Sequence, residues 1–205
     1  DELVFMQKDL GISVAFFSDP IFNCPQEHAR EVCQAIKGRD LSIRWLASAH
    51  PAFIDRDLLM LMREAGCVMI SLGCDSCSEK MLRVYRKGFK KEHLLAATKL
   101  LEEMEINYIL SLLIGGPGET RETVEETIQF LETLAPFFID FCVGIRLMPH
   151  TDLVDIAVRE NVIAPDDPLM EPRFYCSADV KGWVEDYLRE VCSRHPNWTI
   201  AHEET

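Results

Sequence analysis

The sequence lacks several features that would place it quickly in a class of proteins. No apolar run approaches the roughly 18 residues that can cross a bilayer, and no cationic leader precedes an apolar segment. Positive charge is also scarce, because 21 Lys and Arg face 34 Asp and Glu, for a net charge of −13. Such a charge repels nucleic-acid backbones and anionic membranes. The charge therefore argues against a membrane or a nucleic acid as the main partner of this segment. We expect a small-molecule substrate, whose identity the sequence does not give.

A disulfide framework is not indicated either. The eight cysteines are scattered through apolar segments instead of framing short loops, which is typical of buried thiols in a reducing cytoplasm. Cys74 and Cys77 form a CxxC pair, but no second CxxC and no nearby histidine completes a zinc site. We predict that this pair consists of thiols without a metal, and we predict a cytoplasmic protein.

Strands and helices alternate along the chain. Apolar runs of strand length, bounded by Gly, Pro or Asp, are each followed by residues at helical spacing. The predicted strands are Ile12–Ser18, Leu41–Ser48, Cys67–Gly73, Ile106–Ile114 and Ile139–Met148. Near-continuously apolar strands that alternate with helices are typical of a parallel sheet covered by helices, either open or curved into a barrel. The fold class is therefore α/β.

Ligands of such folds bind at the carboxyl ends of the strands, where this sequence places small, acidic and glycine residues. Gly115, Gly116 and Gly118 permit a close approach by either a ligand or a neighbouring chain, and the residues alone leave both readings open. Asp75 and Ser76 suit a ribose or an ammonium group, or else they cap the next helix. Other strand ends carry Asp19, His50 and His150, each of which also fits an ordinary loop.

The ordered set of these segments resembles the radical S-adenosylmethionine (radical SAM) superfamily, in the branch that often carries an upstream cobalamin-binding domain. The resemblance is carried by FFSDPIFN, Trp45, AGCVMISLGCDSCSEKMLRVYRKG, INYILSLLIGGPGET and RLMPHTDLVDIAVRENVI, in collinear order from Ile12 to about Ile163. It implies a partial (βα)6 TIM-like barrel of parallel strands over residues 1–163. A loop, a helix and a short strand then form an extension over residues 164–205.

The resemblance also implies a cofactor site at the strand ends. The cofactor-binding residues that it predicts are Asp19, Pro20, Asp75, Ser76, Ile114, Gly115, Gly116, Gly118, Glu119, Arg146 and Met148. In the family these positions face the methionyl group, the ribose and the adenine of S-adenosylmethionine. No catalytic or metal-binding residue is assigned to this chain.

The family binds a [4Fe–4S] cluster through CxxxCxxC after its first strand, and the eight cysteines contain no such spacing. We expect that the first βα unit is missing from this chain and that the chain as given is inactive without it. In full length the protein would cleave S-adenosylmethionine reductively to a 5′-deoxyadenosyl radical that acts on an unknown substrate. A cobalamin could be supplied by another domain.

Two alternatives use the same residues differently. A barrel without radical chemistry could bind a nucleoside or a protein partner, and a different barrel enzyme could bind phosphate at Gly115–Thr120. A further expectation concerns the strand Ile12–Ser18, which would be the unpaired edge of an incomplete barrel. An exposed apolar edge invites pairing, so we expect possible self-association there.

Overall fold

The computed structural model describes residues 1–39 and 41–201. The chain divides into two compact units. Unit 1 comprises Asp1–Cys74, Phe89–Leu110 and Leu134–Phe138, and unit 2 comprises Asp75–Gly88, Ser111–Thr133 and the chain from Ile139 onward. Among the described residues, no helix is both long enough and apolar enough to span a bilayer.

The helices follow the predicted alternation. They are α1 (Glu2–Lys8), α2 (Gln26–Lys37), α3 (Arg56–Glu64), α4 (Glu79–Val84), α5 (Lys91–Glu103), α6 (Arg121–Leu131), α7 (Asp152–Arg159) and α8 (Val184–Ser193), with a short 3-10 turn at Pro51–Phe53. Asp55 shows why one of them begins where it does, since its carboxylate accepts the Leu58 N–H at 2.7 Å in the first turn of α3.

The strands are short, and most match the predicted runs. They are β1 (Val14–Phe17), β2 (Arg44–Ser48), β3 (Cys67–Asp75), β4 (Asn107–Ile114), β5 (Phe138–Val143), β6 (Ile145–Arg146), β7 (Phe174–Tyr175) and β8 (Trp198–Ile200). Within them apolar side chains alternate between a fully buried and a half-exposed side. In β4, Tyr108, Leu110, Leu112 and Ile114 are buried, whereas the residues between them are half exposed.

The main sheet has six strands in the order β1-β2-β3-β4-β5-β8. The pairs β1 with β2, β2 with β3 and β5 with β8 are parallel, with Val14 opposite Arg44 and Ile139 opposite Trp198. The predicted parallel α/β sheet, with its first strand at an edge, is confirmed. β8 comes from the residues predicted as a C-terminal extension, and it is the sixth strand of this sheet. The boundary at residue 163 stays a prediction.

The prediction of one strand over Ile139–Met148 is wrong in its second half. Gly144 takes a positive φ of 86°, a conformation that favours glycine, and the chain leaves the main sheet there. Ile145 and Arg146 instead pair antiparallel with Tyr175 and Phe174 in a two-stranded ribbon. The sequence pattern of a strand continues on both sides of this break, and the single glycine is what marks it.

Each unit has its own core. In unit 1, Trp45 is fully buried, donates its indole N–H to the Ala65 carbonyl at 2.7 Å, and packs against the rings of Phe17 and Phe22. In unit 2, a separate apolar cluster of Leu147, Ala157 and Tyr175 holds α7 against the ribbon. The position of α7 in unit 2 is thus set by burial of apolar surface.

Candidate functional site

The turn after β4 is held by several contacts within unit 2. We call residues Gly115–Glu119 the glycine turn. Gly115 adopts a φ of 104°, which non-glycine residues rarely take. The turn closes on itself through the Glu119 N–H, which donates to the Gly116 carbonyl at 3.0 Å. Thr120 then caps α6, and its N–H donates to the Thr123 hydroxyl at 3.0 Å.

The Glu119 side chain points back into this turn. It is fully buried, and its Oε2 accepts the N–H of Gly115 and, at 3.2 Å, the N–H of Gly116. Its Oε1 is buried and has no hydrogen-bond partner among the described residues. Burial raises the pKa of Glu119 to about 7, against the opposing effect of the two N–H donors and of Lys80. In this geometry Glu119 organises the turn, and its predicted contact with a cofactor stays a prediction.

Side chains from outside the turn explain two of its glycines. A Cβ at Gly116 would come within 2.2 Å of the Tyr85 hydroxyl oxygen, and a Cβ at Gly115 within 2.8 Å of the Cys176 sulfur. The Tyr85 hydroxyl donates to the Leu113 carbonyl at 3.1 Å, which fixes the ring over the turn. The close approach predicted for these two glycines is therefore made by the protein's own side chains.

Gly118 differs from them, since a Cβ there would meet no atom within 4 Å. The residue is exposed, and its carbonyl accepts from the Lys80 ammonium at 2.6 Å. The side of the turn that Gly118 presents is thus open, and it leaves space for a ligand.

The end of β3 separates the two residues that were predicted to act together. Asp75 has a positive φ of 59° and pairs its carboxylate with the Lys87 ammonium at 2.7 Å, with 22% of each side chain exposed. Ser76 is fully buried, and its hydroxyl lies 3.1 Å from the Thr127 hydroxyl and accepts the Ser78 N–H at 3.1 Å. Asp75 is therefore accessible to a ligand, whereas the hydroxyl of Ser76 is engaged inside unit 2.

A cleft of about 830 Å³ lies beside Asp75 and the glycine turn, entirely within unit 2, and we call it the Tyr85 cleft. Its size falls within the range of small-molecule sites. The lining is Asp75, Val84, Tyr85, Arg86, Leu113, Pro117, Ile145, His150, Thr151, Asp152, Leu153, Asp155, Ile156 and Arg159. These residues combine an apolar surface with carboxylates, guanidinium groups and a phenol. Such a lining suits a ligand with an apolar ring and several polar groups.

One wall of the cleft is α7 together with the residues just before it. His150 has a positive φ of 65°, and the Thr151 hydroxyl donates to the Met148 carbonyl at 2.8 Å, so the chain turns sharply into the helix. Arg86 and Asp152 form an ion pair at 2.9 Å whose side chains are both mostly exposed. Exposed pairs of this kind contribute little stability, so this contact can open for a ligand at low cost.

The other predicted site residues differ in exposure and in the element on which they lie. Ile114 is fully buried, and its carbonyl accepts the Gly144 N–H at 2.7 Å. Arg146 lies in the ribbon and Met148 in the loop beyond it, both with exposed side chains. Asp19 and Pro20 are exposed directly after β1, in unit 1. Cofactor contact by these residues stays a prediction.

Sequence reasoning missed several residues that shape the site. Tyr85 and Lys87 both stand in a segment quoted for the resemblance, yet no role was assigned to either. Thr127 had no such signal, because it contacts Ser76, which is distant in sequence. Cys74 and Cys77 are both buried, and no group of three or more His, Cys, Asp or Glu in the described ranges could hold a metal ion.

Comparison with known proteins identifies relatives of this chain. Residues 2–131 match the family model described as the Radical SAM superfamily. The chain is 27% identical over 202 residues to an uncharacterized methyltransferase, PH0819, of Pyrococcus horikoshii, covering 92% of this chain and 44% of that protein. It is 28% identical over 137 residues to the anaerobic magnesium-protoporphyrin IX monomethyl ester cyclase of Rubrivivax gelatinosus, covering 66% of this chain and 24% of that protein. The chain thus spans less than half the length of these relatives.

A solved structure shares the fold. The radical S-adenosylmethionine methyltransferase TsrM from Kitasatospora setae, with its tryptophan substrate and a SAM analogue bound, superposes with a TM-score of 0.80. The match covers 97% of this chain and 46% of that one, at 20% identity. The parallel α/β sheet described above is therefore an arrangement already known in a protein that binds a SAM analogue.

Proposed function

Because the chain belongs to the radical SAM superfamily, we propose that the Tyr85 cleft binds the nucleoside part of S-adenosylmethionine. The members of this family are enzymes that use S-adenosylmethionine and a [4Fe–4S] cluster. The whole protein, of which this chain would be a part, would then be a radical SAM enzyme with a small-molecule substrate.

One observation carries this proposal: the accessible strand-end carboxylate and the middle of the glycine turn line the same cleft, within one unit. Asp75 lines the cleft, as does Pro117 from the middle of the turn. A carboxylate accepts hydrogen bonds from ribose hydroxyls, and Leu113, Ile145 and the Tyr85 ring offer apolar and aromatic surface to a purine. The donor set of the cleft therefore fits a nucleoside.

S-adenosylmethionine bound here would supply the radical chemistry of the family, which acts on unreactive bonds. The residues of this chain contribute binding and orientation. Lys87 holds the Asp75 carboxylate at 2.7 Å, and Glu119 fixes the N–H groups of Gly115 and Gly116. Fixed groups of this kind lower the entropy cost of placing a ligand.

For the reaction of the whole protein we propose methyl transfer, which two of the similar proteins support. PH0819 and TsrM are both methyltransferases by name, and a second structure of TsrM holds cobalamin and a [4Fe–4S] cluster. We propose that a cobalamin would be supplied by a part of the protein outside this chain. We also propose a reducing, cytoplasmic location, which the eight scattered cysteines support.

Calorimetric titration with S-adenosylhomocysteine tests the nucleoside site directly, because that ligand needs no radical chemistry. We expect weak but saturable binding, with no binding of sugar phosphates. Asp75→Ala should weaken binding about tenfold, the effect of losing roughly 1.4 kcal/mol of contact. Asp57→Ala, at an exposed carboxylate in α3, is the matched control and should bind like the unaltered chain. Stronger binding of a sugar phosphate than of S-adenosylhomocysteine would instead favour the phosphate-binding alternative.

A further inference from the structure

Ser177 follows β7 and lies outside the part of the chain that matches the family model. It is 5% exposed, and it reaches both ends of the glycine turn. Its N–H donates to the Gly115 carbonyl at 2.8 Å, and its hydroxyl donates to the Glu119 carbonyl at 3.2 Å. One residue therefore ties the first carbonyl of the turn to the last.

The backbone of Ser177 is itself held in place. Its carbonyl accepts the N–H of Val180 at 3.1 Å and the N–H of Lys181 at 2.9 Å, so it opens a tight helical turn before α8. Val180 is fully buried, which anchors that turn in the core of unit 2. Ser177 is thus a fixed point from which the glycine turn is positioned, and the anchoring comes from a segment remote in sequence.

The position of Pro117 depends on these contacts. Pro117 stands between the two tied carbonyls and is the residue of the glycine turn that lines the Tyr85 cleft. On the opposite side, Glu119 accepts the N–H groups of Gly115 and Gly116, and Tyr85 covers Gly116. Hydrogen bonds therefore hold both the carbonyls and the N–H groups of the turn. Removing the Ser177 hydroxyl leaves the Glu119 carbonyl without that bond and loosens one end.

We propose that Ser177 is a positioning residue for the cofactor, acting through the glycine turn on the surface that Pro117 presents to the cleft. This inference rests on the proposed nucleoside site. It assigns a role in that site to a residue beyond the family match, and it predicts that cofactor affinity depends on the segment after β7.

The test compares Ser177→Ala and Ser177→Thr with the unaltered chain. The affinity for S-adenosylhomocysteine is measured by calorimetry well below each protein's melting temperature, where all are folded. A residue that only stabilises the fold leaves this affinity unchanged under such conditions. We expect Ser177→Ala to weaken binding about fivefold to tenfold and Ser177→Thr, which keeps the hydroxyl, to restore most of it.

Ser193→Ala is the matched control. Its exposed hydroxyl also donates to a backbone carbonyl, that of Glu190 at 2.7 Å, but in α8 and without contact to the glycine turn. It should bind like the unaltered chain. If Ser177→Ala does not fold, Ser177→Cys, which keeps a side chain of similar size with a weaker donor, should show the loss of affinity.

The outcomes separate the two proposals. Unaltered affinity in Ser177→Ala or Ser177→Cys, while the unaltered chain binds, would overturn the positioning role alone. Failure of the unaltered chain to bind S-adenosylhomocysteine would overturn the nucleoside site, and the positioning role with it. A loss of affinity in Ser193→Ala equal to that in Ser177→Ala would also overturn the role, because the effect would then not depend on the glycine turn.

Discussion

Replacing Glu119 by Gln removes a buried carboxyl group whose ionisation the fold disfavours. The side chain is fully buried, Oε1 has no partner among the described residues, and burial raises the pKa of Glu119 to about 7 from an ordinary value of 4.5. A raised carboxyl pKa means that the folded state holds its proton over a pH range in which the unfolded state has released it. The contribution of Glu119 to the free energy of unfolding should therefore fall as the pH rises from about 4.5 to about 7.

The size of the effect follows from this window. Each unit of difference between the folded and unfolded pKa values of Glu119 corresponds to about 1.4 kcal/mol. Full ionisation of Glu119 therefore lowers the free energy of unfolding of the native chain by about 3 kcal/mol above neutral pH. Gln has a similar shape and does not titrate, and its amide oxygen can accept the same two N–H groups. We therefore expect Glu119→Gln to match the native stability near pH 4.5 and to exceed it by about 3 kcal/mol near pH 8.

Urea unfolding of both proteins at a series of pH values measures the difference, since other titrating groups cancel in the comparison. Glu190→Gln, at an exposed position in α8, is the control and should give a curve parallel to the native one. A difference between Glu119→Gln and the native chain that stays constant from pH 4.5 to pH 8 would refute the reasoning. So would a variant that is less stable than the native chain near pH 8, because the two N–H bonds would then outweigh the cost of burial.

Three further predictions concern packing and association. Gly116→Ala should lower the free energy of unfolding by about 1–3 kcal/mol, because the new methyl group collides with the Tyr85 ring, and thermal melts measure the loss. Thr127→Val, an isosteric change at a fully buried position, should lower the free energy of unfolding by about 1–3 kcal/mol, because the Cys77 N–H loses its acceptor at 3.2 Å. Urea unfolding that shows no measurable change would contradict this. We also propose self-association at the β1 edge, where Phe16 is 59% exposed. Phe16→Lys should shift sedimentation toward a single smaller species, and identical sedimentation profiles of the variant and the unaltered chain would contradict the proposal.

Much of the fold could be predicted because the pattern that defines it is local. A strand of a covered parallel sheet must be apolar along most of its length, and β3 and β4 lie within a residue or two of their predicted bounds. The prediction over Ile139–Met148 was wrong beyond Gly144 for the converse reason. An apolar run looks the same whether it continues a strand or turns into a separate ribbon, and the difference lies in one backbone torsion.

The candidate site, like the fold, could be predicted from the sequence only in part. The glycine turn could be located from its sequence, because three glycines and a proline between a strand and a helix require a close approach. Whether the approaching group was a ligand or protein could not be predicted, since Tyr85 and Cys176 lie far from the turn in sequence. The different environments of the neighbours Asp75 and Ser76 could not be predicted either, because the hydroxyl that pairs with Ser76 belongs to Thr127 in α6.

The sequence by itself determined the alternation of elements, the ends of the strands at which polar groups collect, and the family, because each depends on residues that are adjacent or in fixed order along the chain. Only the tertiary structure decided which of those groups are accessible and which are buried. It turned Glu119 inward, left Asp75 accessible beside a cleft, and brought Ser177 to both ends of the glycine turn. The physical reason is that accessibility and hydrogen-bond partners depend on packing between segments remote in sequence, and no local pattern encodes which of those segments will meet.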